Sequence, residues 1–187
     1  MNTPINWLDA LMLLALLAAM AIGFWQGVVR QIVTLGAFYI AAVVSTRIYP
    51  NIAQILMSVA SGMVPTVADV LAFFILLFVI GLVAVFLTID TFRKLTERKP
   101  GAAARVGGGV AALVGMAVLI TFVLTGIKFA ALTPWPASSE GMRQILTTAL
   151  DTSNLVPVIR QLDPLVIQSI RFWGGNLPPM FSSNFGV

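Results

Sequence analysis

The sequence predicts an all-α membrane protein with four transmembrane helices followed by C-terminal amphipathic helices. Three observations carry this. Of the 187 residues, 59% are hydrophobic and only 10% charged, with a mean hydropathy of +0.98, whereas a soluble domain carries about 25% charged residues. Four apolar stretches reach the length of about 20 residues that a hydrocarbon core of about 30 Å demands. Beyond them the composition changes, and apolar residues recur at helical spacing among polar ones.

The first span covers about 7–25. Nothing basic precedes its apolar run and Asp9 is its early charge, whereas a secretory signal opens on a positive segment. It is therefore read as a retained span. The second covers about 28–46, separated from the first by Gln26 and Gly27 in "GFWQGVVRQ". So short a break predicts a hairpin at the membrane face, with Trp25 in the headgroup layer and Arg30 snorkelling to phosphates or to the last carbonyls of the first span. One long helix kinked at Gly23 and Gly27 is the alternative.

The third span, about 67–89, opens on "PTVADV", where Thr66 as cap and Asp69 three residues on form a capping box. It runs into "TIDTFRKLTERKP", in which Asp90 can pair with Arg93 and Lys94 before Pro100 and Gly101 stop the helix. This basic loop reads as a solvated anchor of one membrane face, with docking of headgroups or a partner as the alternative. The fourth span covers about 106–127. These four make a membrane domain of residues 1–131.

Residues 132–174 form the second region. Pro134, Trp135 and Pro136 suit the membrane interface, and Ser138 or Ser139 can cap a helix carrying Met142, Ile145, Leu146, Ala149 and Leu150 on one face. A second candidate runs through Leu155, Val158, Ile159 and Leu162. A third opens with Asp163 as cap and Pro164 at the first helical position. Such helices lie flat on the bilayer or fold onto the bundle, and periodicity does not distinguish the two. Residues 175–187 lack periodicity and read as a mobile tail.

Charge sets the orientation. Arg30, Arg93, Lys94, Arg98, Lys99 and Arg105 fall near span ends on one side, against Arg47 and Lys128 on the other. The first side is thereby expected to be cytoplasmic and both termini extracytoplasmic.

A net charge of +4 with pI near 10.1 reflects basic loops facing anionic lipid rather than the concentrated basic face of a nucleic-acid binder. Cysteine and histidine are absent, which removes disulfides, thiol nucleophiles and the common zinc ligand sets. Within the spans the notable polar groups are Thr34, Tyr39, Ser45, Thr121 and Thr125, with no paired carboxylates and no nucleophile beside a base. "GGG" at 107–109 lacks the lysine and hydroxyl residue of a phosphate loop. Neither catalysis, a metal nor a cofactor is expected.

Small residues do recur in register. Ala15, Ala19, Gly23 and Gly27 fall every fourth residue in the first span, as do Gly107, Ala111 and Gly115 in the fourth. Such stripes let helix backbones approach closely, within one chain or at a homodimer seam.

"WLD" before a long apolar span, then "GFWQGVVRQIVTLGAFYIAAVV", resembles the colicin V production protein family of bacterial inner-membrane proteins. Asp9, Gly23, Phe24, Gly27 and Arg30 match its pattern, and Arg105 with "VGGGVAALVGMAVLI" matches its later arginine and small-residue-rich helix. The chain departs from the pattern at Gln26, where a basic residue is common, at Gln31, where an acid is common, and near Val114, where a second arginine is missing. The resemblance covers residues 6–130 and weakly the amphipathic end. It implies a multi-pass protein of the bacterial plasma membrane, without a cofactor, linked to toxin production or secretion and envelope function. Arg30 and Arg105 are the residues singled out for function. A scaffold or accessory subunit associated with other membrane proteins or with itself is the leading reading. An oligomeric channel or transporter lined by Thr34, Tyr39, Thr121 and Thr125 is the alternative, and a membrane enzyme lacks positive support.

Overall fold

The computed structural model describes residues 6–60, 62–91, 100–132, 134, 140–173 and 181. The basic loop from Arg93 to Lys99, the pairing of Asp90 with it, Trp135 and the serine caps at 138 and 139 lie outside the described residues.

Every regular element among the described residues is helical. Four helices are long and apolar enough to cross a membrane: α1 (Trp7–Gln26), α2 (Val28–Val59), α3 (Pro65–Thr91) and α4 (Ala102–Leu132). Three shorter ones follow: α5 (Glu140–Asp151), α6 (Leu155–Ile159) and, after a 3-10 turn at Arg160–Leu162, α7 (Asp163–Arg171).

Asn6 caps α1, its side-chain oxygen accepting from the Leu8 N–H at 3.3 Å. Gly27 ends it. This residue has φ +80°, a conformation that L side chains rarely adopt, and is the single residue between α1 and α2. Contacts along α4 fix the directions of the two helices. Gly107 meets Val28 and Gly115 meets Leu35, so α2 runs with α4. Gly108 meets Gly23 and Gly27, whereas Ile120 and Leu124 cluster with Leu8 and Met12, so α1 runs against it. The break at Gly27 is therefore a hairpin and not a kink in one long helix. In space the order is α1, α4, α2, α3.

α2 continues well past the 28–46 stretch. Pro50 has no N–H to give to the helical ladder, yet the helix passes through it to Val59. Tyr49 and Ala53 are buried, and Ile52, Leu56 and Met57 pack on the main apolar cluster, so tertiary burial outweighs the backbone hydrogen bond that proline omits. At α3 the expected capping box does not form. Pro65 takes the first helical position, and the Val67 and Ala68 N–H groups donate to the Val64 carbonyl at 2.9 and 3.1 Å; Thr66 and Asp69 lie inside the helix. Proline's fixed φ suits it to that first position.

Two apolar clusters hold the molecule together. One joins α2, α3, α4 and α7 through Ala42, Phe73, Leu77, Phe122, Ile167 and Ile170. The other joins α1, α4, α5 and α6 through Leu8, Met12, Ile120, Leu124, Ala149, Val156 and Ile159. The amphipathic helices thus fold onto the bundle. In α5 the predicted stripe divides, with Ala149 buried and Met142 and Ile145 exposed. At α7, Asp163 is the first helical residue and not the cap, because the chain enters from the 3-10 turn already in the α region, with Asp163 at φ −49° and ψ −50°; its carboxylate accepts from Arg160 Nε at 3.2 Å.

Of residues 175–187, read as a mobile tail, Phe181 is the described residue. Its ring is 1% exposed and stands edge-on to Phe73 and Phe122, with centroids 5.6 Å apart in each pair. The outer faces of the long helices stay apolar and open, Leu14 being 70% and Phe86 66% exposed, as a lipid-facing surface requires.

Candidate functional site

Three arrangements bring chemistry-bearing residues together. The first is at the start of α1, where Asp9 is 4% exposed. Its carboxylate accepts hydrogen bonds from Ser153 Oγ, from the Asn154 N–H at 3.1 Å and from the Leu155 N–H at 3.2 Å. Ser153 Oγ in turn accepts from the Val156 N–H at 3.0 Å. The free N–H groups that open α6 are thus satisfied by an acid from another helix. Asn6 adds bonds from Nδ2 to the Ala149 carbonyl at 2.6 Å and Thr152 Oγ1 at 2.9 Å. Asp9 and Asn6 together clasp the α5–α6 turn to the bundle. The resemblance singled out Asp9, but nothing local in the sequence identifies its partners, which lie about 145 positions away.

The second is the crossing of α1 and α4. Ala19, Gly23 and Gly27 are buried and Ala15 is half-buried. A Cβ on Gly23 would overlap the Gly108 carbonyl and Ala112, and one on Gly108 would overlap Gly23 and Gly27. The α4 side of this crossing is accordingly built from Gly108 and Ala112, with Gly109 against Met20. Gly107 and Gly115 turn instead toward Val28 and Leu35 of α2, and Ala111 is half-buried. α4 therefore has two small-residue stripes, one for each neighbour.

The third lies beside the hairpin. A groove of about 840 Å³ runs between α2 and α4 from the end of α1, and the far part of its wall is supplied by α7. Arg30, Gln26 and Gln31 line one end, with Leu35, Phe38, Leu119 and Phe122 further along. Arg30 Nε is buried without a hydrogen-bond partner, and no bond from its guanidinium to the α1 carbonyls is present among the described residues. Gln31 Nε2 donates to Gln26 Oε1 at 3.0 Å. The two positions where an acid and a base are common in the resembled family thus touch each other here as a neutral pair. Arg105 stands apart, exposed in the first turn of α4 with its N–H on the Gly101 carbonyl at 3.0 Å.

The polar groups within the spans differ in their partners: Ser45 Oγ is buried without a hydrogen-bond partner among the described residues and Thr125 is buried, whereas several threonines turn back on their own helices. Thr34, Thr46 and Thr121 donate to the carbonyls of Arg30, Val43 and Ala117 at 2.7–2.9 Å. Tyr39 OH donates to the Ser169 carbonyl at 2.8 Å, tying α2 to α7. Outside the spans, the hydrogen bond from Arg143 holds the Glu140 carboxyl below its usual range, while burial pushes Asp163 up despite its bond from Arg160.

No curated protein and no solved structure matches the chain. A family model described as Colicin V production protein matches residues 8–164, and the chain belongs to this family of multi-pass membrane proteins.

Proposed function

We propose that this family member is a non-catalytic scaffold or accessory subunit of an assembly in the bacterial plasma membrane, serving toxin production or secretion and envelope function. Its partners are other membrane proteins or further copies of itself. The observation that carries this reading is the amphipathic layer held to the bundle by Asp9. With Ala149, Val156 and Ile159 packed inward, the layer still presents Met142, Ile145, Val158 and Leu165, each more than half exposed. An apolar face fixed on a rigid support suits a contact with another protein. The hydroxyls of Thr34 and Thr121 bond to their own helices and that of Tyr39 to α7, which favours the scaffold over a channel or transporter lined by Thr34, Tyr39, Thr121 and Thr125. The distribution of lysine and arginine supports an extracytoplasmic side for both termini and the α5–α7 layer.

The test is mass determination of the chain extracted in native membrane discs. Wild type is expected in an assembly heavier than one chain, and I145E/L165E is expected at single-chain mass with unchanged thermal unfolding. A chain that runs alone, or a pure oligomer that conducts ions in liposomes, overturns the reading.

A further inference from the structure

The groove beside the hairpin has a polarity gradient that neither the bundle's packing nor the scaffold reading uses. Its polar end is formed by Arg30 with Gln26 and Gln31, and its length is walled by apolar side chains. We propose that it binds one anionic phospholipid, with the phosphate on Arg30 and an acyl chain along the apolar wall.

Charge identifies the polar end of the occupant. A buried guanidinium N–H without an acceptor is costly, and Arg30 Nε is in that condition. Among the residues lining the groove there is no aspartate or glutamate to receive it. The first turn of α2 carries neither an acid nor a side-chain cap, so the positive end of the helix dipole adds to the charge of Arg30. Nε itself is closed to solvent, so a phosphate oxygen meets the guanidinium where Arg30 lines the groove and there answers both its charge and the helix dipole; guanidinium matches phosphate geometry well. The second of the paired glutamines leaves an amide within the same polar end.

Depth identifies the rest. Arg30 follows the hairpin closely, at the end of a 20-residue span. From Arg30 to Tyr39 the groove descends about 14 Å at 1.5 Å per residue, about half of a hydrocarbon core of about 30 Å. The bond from Tyr39 to Ser169 marks the deep end. Ile32 and Gly36, both exposed, leave the side of the groove open. These dimensions suit a lipid of one leaflet entering sideways, and the volume is within the range of about 300–1,000 Å³ usual for ligand pockets.

Gly36 makes the idea testable without disturbing the fold, because a Cβ built there meets nothing within 4 Å. The full-length chain, delipidated in detergent, is titrated with phosphatidylglycerol, phosphatidylcholine or glycerol phosphate, and bound molecules are counted by native mass spectrometry. Wild type is expected to hold one phosphatidylglycerol at least about tenfold more tightly than phosphatidylcholine, whose choline cation offsets the phosphate charge and is repelled by Arg30 in a polar end that holds no acid. R30Q is expected to lose that preference and R30K to keep most of it. G36W, which fills the groove, is expected to lose both lipids with unchanged thermal unfolding. G36L serves the same purpose if the tryptophan variant unfolds. Equal retention of the two lipids by wild type, undiminished binding by R30Q, or undiminished binding by the groove-filling variant overturns the proposal. So does competition by glycerol phosphate at equal concentration, which would mark a site for free anions. An isolated chain suffices for these measurements, so their outcome is independent of whether the protein scaffolds an assembly.

Discussion

Replacing Asp9 by alanine tests the clasp between the two ends of the chain. The substitution removes the acceptor of the Asn154 and Leu155 N–H groups and of Ser153 Oγ. Hydrogen bonds to a charged group contribute about 1.5–3 kcal/mol each, and a buried donor left unsatisfied costs about 1–3 kcal/mol. Three bonds added at full value overstate the effect, because the amides at the part-exposed turn regain water and the serine hydroxyl can rotate to another acceptor. A loss of about 2–4 kcal/mol is expected, because D9A leaves neutral donors behind and no unpaired charge. The assay is thermal unfolding in a mild detergent together with hydrogen exchange of the amides that open α6. D9A should lower the melting temperature and expose Asn154, Leu155 and Val156 to exchange, while the α1–α4 crossing around Gly23 stays protected. S153A should cost less, and the D9A/S153A double variant should cost less than the sum of the two, since both act on one network. Wild-type stability of D9A with α6 amides still protected would refute the argument, and would mean that apolar contacts of Val156 and Ile159 alone dock the layer.

Further outcomes follow from the same structure. G23L and G108L should each destabilise the bundle by about 1–3 kcal/mol through overpacking at the α1–α4 crossing, whereas G36A, with open space at its Cβ, should stabilise α2 by about 0.5–1 kcal/mol; equal melting temperatures in detergent for all three would show that the crossing is loose. Cysteines introduced as T96C and S139C should respond oppositely to an impermeant thiol reagent on intact cells, with only S139C labelled; the reverse pattern inverts the orientation. Because its bond from Arg143 lowers the Glu140 carboxyl below its unfolded value, Glu140 contributes stability at pH values above the ordinary value of about 4.3, and this is lost as pH falls through the lower folded value. Exchange of the Gln144 to Thr147 amides, the first well-bonded ones of α5, corrected for intrinsic rate, should therefore rise on acidification in wild type and be flat in E140Q, and identical profiles would remove the pair from the account.

Much of the architecture was present in the sequence because its causes are local. Length and apolarity make a span whatever surrounds it, so four membrane helices and the break at Gly27 were legible, as was the small-residue face of α1. Amphipathic spacing announced α5 to α7 for the same reason. Local signals were insufficient where long-range burial competed with them: α2 passes Pro50 because Tyr49 and Ala53 are buried on the main cluster, and Phe181 is held by Phe73 and Phe122 in a segment without periodicity of its own.

The sites depended more heavily on the third dimension. Spacing of four residues marks a stripe on α4 but not which neighbour it meets, and a shift of one position separates Gly108 and Ala112, on α1, from Gly107 and Gly115, on α2. Asp9 and Arg30 stood out as charges at the ends of apolar helices and as positions that match the resembled family's pattern. Only the folded chain gave the first its partners on the α5–α6 turn and left the second with a buried N–H beside an apolar groove. The physical reason is that helix formation is decided by bonds spanning four residues, whereas a carboxylate's partners and a groove's shape are decided by which helices pack together, and that choice is made by contacts between residues far apart in the chain, such as Gly107 with Val28 and Asp9 with Leu155.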